Sequence, residues 1–267
     1  MTAVNPTRLR FQIQGVITFF ESPEEFHRML SDLFSSYGNR ALRFGESASA
    51  IPLVPMYHLP HPVMRQLKLD LIPQIQANPQ AALDLSDSLW QDEYFEVMQT
   101  AIFILGNVPI KETTQIVARV KEWLSPAIDP LLATQLFSVG MKSLQSRFPE
   151  AWESLVHAYL SDENPKMINF GLIGLIEGIK SPSFTNLPAA FRLTSPFLRD
   201  PYPDIMRSME KLIKTLAQHA PIETAFYLKQ ALSISDSTET VRLVKNAIIA
   251  FPENLQQELK SAVKRDL

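Results

Sequence analysis

Twenty prolines are spread along this 267-residue chain, and they constrain its fold more than any other feature. Proline fixes φ and has no backbone donor, so it suits the first turn of a helix and breaks the interior. Between these breaks, apolar residues recur at spacings of three and four. Examples are Phe26, Leu30, Leu33 and Phe34; Val97, Ala101, Ile104 and Leu105; Ile205, Met209, Leu212, Ile213 and Leu216; and Val241, Val244, Ala247 and Ile248. That spacing keeps one helix face apolar. No sustained period-two alternation is flanked by turn residues, so a sheet is not expected.

The boundaries carry recognisable chemistry. Ser22, Pro23 and Glu25 read as an N-cap, a first-turn proline and a capping-box glutamate. Asn78-Pro79 and Asn164-Pro165 repeat the cap-then-proline device. Further breaks fall near Pro60, Pro109, Pro130, Pro149, Pro182, Pro201, Pro221 and Pro252. The helices between them run to roughly 10–18 residues, and short connections make neighbours antiparallel. A single helix pair cannot bury its apolar face alone, whereas stacked pairs can. The expectation is an all-α protein: an α-solenoid of stacked antiparallel helix pairs, about a dozen helices in one domain over residues 1–267. A compact, non-repeating bundle is the structural alternative. Residues 1–20 read as an N-terminal extension. Residues 38–60, with Gly38, Gly45 and three prolines, read as an irregular connection.

Composition narrows the chemistry. With no cysteine there is no disulfide and no thiolate site, which fits a reducing compartment. Eight glycines leave little material for phosphate-cradling loops, and no Walker, dinucleotide or nucleophile-elbow motif occurs. Histidines are not at ligand spacing, so neither a metal nor another cofactor is expected. No stretch approaches the roughly 18 apolar residues of a membrane span. The N-terminus also lacks the marks of a secretory signal, which makes the expected location cytoplasmic.

The net charge of −3 gives no global field to draw in nucleic acid. A local strip is still possible, because basic residues recur along the chain: Arg119, Lys142, Lys166, Arg207, Lys211, Lys214 and Lys245. Arg207, Lys211 and Lys214 share a helix face by their i, i+4, i+7 spacing. The alternative is an ordinary solvated face. Trp90 and Trp123 could be stacking platforms, although large core residues at helix ends are the better reading, and Trp152, just inside a helix begun at Pro149, reads as packing between repeats. Asp92, Glu93 and Glu96 open a helix, where the dipole favours acids.

Three segments carry a resemblance to a known family. Residues 88–101 (SLWQDEYFEVMQTA) end one helix on Trp90 and open the next with Tyr94 and Glu96. Residues 58–65 (HLPHPVMR) enter a helix through a proline pair and an apolar-arginine pair. Residues 204–216 (DIMRSMEKLIKTL) are followed by Ala220-Pro221. In order and spacing they resemble the DNA alkylation repair glycosylases of the AlkD-like group, over most of residues 20–235.

The resemblance implies HEAT-like repeats with a basic, concave DNA-binding face. It also implies a catalytic aspartate four residues after a tryptophan. In one register these positions are Asp129 and Ser125; in the other, shifted by three, they are Leu132 and Ile128. The first keeps the aspartate, and neither keeps the tryptophan. The family's arginine falls near Asn169 or Phe170, and its later tryptophan falls on Lys211. Excision of a cationic base needs a carboxylate beside the developing positive charge, which Asp129 could supply, although its place just before Pro130 equally suits a helix N-cap. Aromatic walls give cation–π support that Ser125 and Lys211 cannot.

The expectation is therefore a monomeric, non-catalytic relative that binds a macromolecule in its concave face. The partner would be duplex DNA held through its phosphates, or a protein. The alternative is an active glycosylase that excises alkylated purines with Asp129.

Overall fold

Asparagine caps start many of the helices. In the computed structural model, the side chains of Asn5, Asn78, Asn164 and Asn186 each accept from backbone N–H groups of the turn that follows. In each case a proline stands at the first or second helical position, where no donor is lost. The structure describes residues 4–38, 52–109, 111–182, 184, 186–235 and 237–265. Much of the irregular connection expected over 38–60 lies outside these residues.

The helices are α1 (Pro6–Ile17), α2 (Pro23–Tyr37), α3 (His61–Ala77), α4 (Pro79–Trp90), α5 (Phe95–Asn107), α6 (Thr114–Trp123), α7 (Pro130–Gln135) and α8 (Lys142–Arg147). They continue as α9 (Pro149–Leu160), α10 (Pro165–Ile179), α11 (Leu187–Arg199), α12 (Met206–His219), α13 (Pro221–Ile234), α14 (Thr238–Ala247) and α15 (Glu253–Arg265). A π-helical turn, Leu136–Gly140, joins α7 to α8. Among the described residues there is no strand, and no helix is long and apolar enough to cross a membrane.

The chain divides into two compact units, Met1–Phe148 and Pro149–Leu267. In the first, α1, α3, α5 and α7 pack in sequence as one row, and α2 packs on α4 in a second. In the second, α10, α12 and α14 form one row and α11, α13 and α15 another. Consecutive helices such as α4 and α5, or α9 and α10, pack against each other through short connections. Each unit is thus the two-layer stack of helix pairs expected of an all-α solenoid. The core of the first holds Phe26, Phe34, Leu67, Leu71, Leu85 and Ile104, and that of the second Leu172, Leu212, Leu228 and Leu243.

Several local readings change. Residues 1–20 include α1, whose Leu9, Ile13 and Val16 are buried, so this segment supplies the first helix of the stack. Ser22 stands at the cap of α2, but its side chain makes no cap hydrogen bond, and Glu25 pairs with Arg28 instead. Pro73 and Pro196 lie inside α3 and α11, on solvent-exposed faces. Not every proline therefore marks a helix end. Glycine stands where helices touch: a Cβ on Gly106 would lie 2.1 Å from the Val139 carbonyl oxygen. One on Gly171 would lie 2.7 Å from Leu160 Cγ, so α9 and α10 approach to a distance only glycine permits.

Candidate nucleic-acid interface

Two carboxylates in the first unit are spent on backbone groups. Asp129 precedes Pro130 as the N-cap of α7, and its Oδ1 accepts from the N–H groups of Leu131 (2.7 Å) and Leu132 (3.4 Å). Its Oδ2 accepts from the N–H of Leu53. Asp129 is 3% exposed. Glu96, in the first turn of α5, is 4% exposed and accepts from Tyr57 N–H (3.0 Å) and His58 N–H (2.8 Å).

Residues 52–60 thus form an extended strap anchored on two helix N-termini. The Pro55 carbonyl accepts from the first helical N–H of α5, that of Phe95, at 2.9 Å. Buried Tyr57 stacks on Tyr94 at 4.2 Å between ring centroids and meets Phe34 edge-on. Burial pushes the Tyr57 hydroxyl above its ordinary pKa, against a lowering hydrogen bond from Ser31. His58 adopts a left-handed backbone (φ 55°), which lets successive N–H groups converge on one carboxylate. Neighbouring Asp92 pairs with His27 and also accepts from Tyr94 N–H.

The strap role of Glu96 was not expected from the sequence, where it reads only as an acid favoured by the helix dipole. The signal was there: Glu96 is the only charge in the otherwise apolar and neutral run 95–107. Such a charge on a buried face needs partners.

The other family positions are dispersed. Ser125 is exposed after α6, Leu132 is buried, and Ile128 is half-buried. Phe170 is a core residue of α10, while Asn169 donates to the Asp204 carbonyl at 3.0 Å. Lys211 is exposed on α12. Trp90 and Trp123 stack on each other (4.4 Å, 8° between planes), and Trp152 is buried against Phe184. Each therefore has a packing partner. Among the described residues no group of three His, Asp or Glu is placed to hold a metal.

The basic residues divide into paired and exposed sets. Arg119 forms a bidentate pair with Asp87 that ties α6 to α4, with Nη2 at 2.7 Å from the carboxylate. Lys214 pairs with Glu210 at 2.6 Å. Arg207 and Lys211 on α12 and Lys245 on α14 are exposed and pair with no carboxylate among the described residues; the same holds for Lys142 on α8. Lys166 is exposed at the start of α10.

Helices α12 and α14 pack side by side, and Asn246 of α14 donates to Glu210 of α12 at 3.1 Å. Arg242 of α14 also acts on Glu210 electrostatically. The Glu210 carboxyl lies below its ordinary range, chiefly through the Lys214 hydrogen bond. Five cations (Arg207, Lys211, Lys214, Arg242 and Lys245) therefore stand on two adjacent helices, with Glu210 between them as a partial counter-charge. Phosphate recognition needs cations of this kind on a common surface.

Comparison with known proteins now bears on this geometry. Neither the curated proteins nor the solved structures offer a match to the chain. The family model described as DNA alkylation repair enzyme matches residues 43–247, most of both units. The chain belongs to the DNA alkylation repair enzyme family.

Proposed function

We propose that this protein is a non-catalytic member of its family, with HEAT-like helix pairs, that binds the phosphate backbone of duplex DNA. The observation that carries this reading is the state of Asp129. Of the two registers of the family resemblance, only the one that falls on Asp129 puts a carboxylate at the catalytic position. Its oxygens are engaged by backbone N–H groups and it is 3% exposed. Stabilising a cationic transition state requires a carboxylate aimed at the reacting sugar. Here the charge is aimed at a helix end and a strap.

The binding half of the reading rests on the α12–α14 face. Arg207 and Lys211 are free of carboxylate partners among the described residues, and Lys245 and Arg242 extend the positive surface. Contacts of this type position a duplex without reading its sequence. Electrophoretic mobility shifts with unmodified duplex at low salt test the proposal. Affinity should fall steeply as salt rises, and Lys211→Glu with Arg207→Glu should lower it at least tenfold. Unchanged affinity in that double variant would remove the assignment and favour a protein partner.

A further inference from the structure

Helix α1 presents to solvent a face that the fold does not use. Its Leu9, Ile13, Val16 and Ile17 are buried, yet Phe11 is 81% exposed. At about 100° per residue, Arg8 and Arg10 fall on opposite flanks of Phe11, and both are exposed. Arg10, Phe11 and Gln14 line an open groove together with Gln66 of α3. No carboxylate occurs on α1, and neither arginine is ion-paired among the described residues. Asp70, one turn beyond Gln66, accepts from Gln66 Nε2 at 2.9 Å through one oxygen and buries the other.

We propose that this face binds single-stranded nucleic acid. A base stacks on the Phe11 ring, Arg8 and Arg10 meet the phosphates on either side of it, and the Gln14 and Gln66 amides offer donors and acceptors to the base edge. An exposed aromatic ring between cations is the general recipe for such a site. A duplex is disfavoured, because its bases already cover one another and leave no face for the ring. A protein partner is disfavoured by size. A stable protein interface buries about 800 Å² per partner around an apolar centre. Phe11 and Leu69 are the only exposed large apolar side chains on α1 and α3. The site lies on the first unit and is argued independently of the α12–α14 face.

Fluorescence anisotropy on the full chain tests the proposal, with labelled oligodeoxythymidine and oligouridine of about 15 nucleotides as separate probes at low salt. Binding of at least one is expected, and the tighter one identifies the natural sugar. Phe11→Ala should weaken it about fivefold or more, the scale of one lost base stack, while Phe11→Trp holds or tightens it. Arg10→Glu should weaken it and reduce the salt slope. Lys211→Glu should leave it unchanged while weakening duplex binding, so the two sites fail separately. The proposal is overturned if neither probe binds or if Phe11→Ala binds like the wild type. It is also overturned if Phe11→Trp behaves like Phe11→Ala, or if Lys211→Glu weakens the single strand as much as Phe11→Ala does.

Discussion

The strap site of the first unit and the α12–α14 face of the second use charge in opposite ways. In the first unit, Glu96 and Asp129 are buried and accept only from backbone N–H groups. In the second, Arg207, Lys211 and Lys245 stay in water with no carboxylate partner among the described residues, and Glu210 offsets Lys214 and, in part, Arg242. A charge taken out of water must be fully satisfied, and once satisfied it is lost to a ligand. An exposed charge adds little to stability and remains available to phosphate. These ionisable residues thus divide into those whose charge is satisfied within the fold and those whose charge stays exposed.

Removing a buried anchor should have the largest effect. Glu96→Ala leaves the Tyr57 and His58 N–H groups without an acceptor, and each such loss costs about 1–3 kcal/mol when buried. Thermal or urea denaturation should show a loss of about 2–4 kcal/mol, with duplex affinity per folded molecule unchanged. A drop in affinity with stability intact would erase the distinction between the two regions.

Asp129 should follow. Asp129→Ala forfeits the cap of α7, worth about 1 kcal/mol, together with the strap contact at Leu53. Asp129→Asn should recover the cap but not the strap contact, because asparagine caps about as well while its amide nitrogen cannot accept from the Leu53 N–H. Equal denaturation midpoints for the two variants would show that the cap does not matter.

Lys211→Ala and Lys214→Ala sharpen the comparison from the other side. Lys211 has no carboxylate partner among the described residues, so its loss should weaken duplex binding several-fold and lower the salt slope by about one. Lys214 is tied to Glu210, so its loss should matter less. The reverse order in a salt titration would misplace the interface.

The smallest effect concerns Glu210. Its folded-state pKa is depressed, so the Lys214 pair contributes stability above the ordinary carboxylate value. That contribution is lost as pH falls through the lowered one. Neutralising Glu210 frees Lys214, so duplex binding should tighten modestly below the ordinary carboxylate range. In Glu210→Gln the same gain should be present at neutral pH. A pH series in which wild type and variant run parallel would contradict this.

Much of the fold is legible in the chain because its signals are local. Asn78-Pro79 and Asn164-Pro165 mark helix starts without reference to anything distant. Pro73 and Pro196 lie within helices, because proline tolerance depends on which face of a helix meets water, a tertiary matter. The strap is illegible for the same reason: Leu53 and Asp129 are 76 residues apart, and no periodicity joins them. Asp129 shows both sides. Its position before Pro130 gives the N-cap, but the Leu53 contact that completes its burial belongs to the folded chain. The pairing of Arg119 with Asp87 was likewise hidden, since basic residues in a row look alike until their partners are known.

The central claim is that the family's catalytic position has become a structural one. The most direct test is release of alkylated purines from methylated duplex DNA by the full chain, beside Asp129→Asn and Asp129→Ala. We expect no release above the uncatalysed background from any of the three. Robust release by the wild type, abolished in a folded Asp129→Asn protein, would contradict the account.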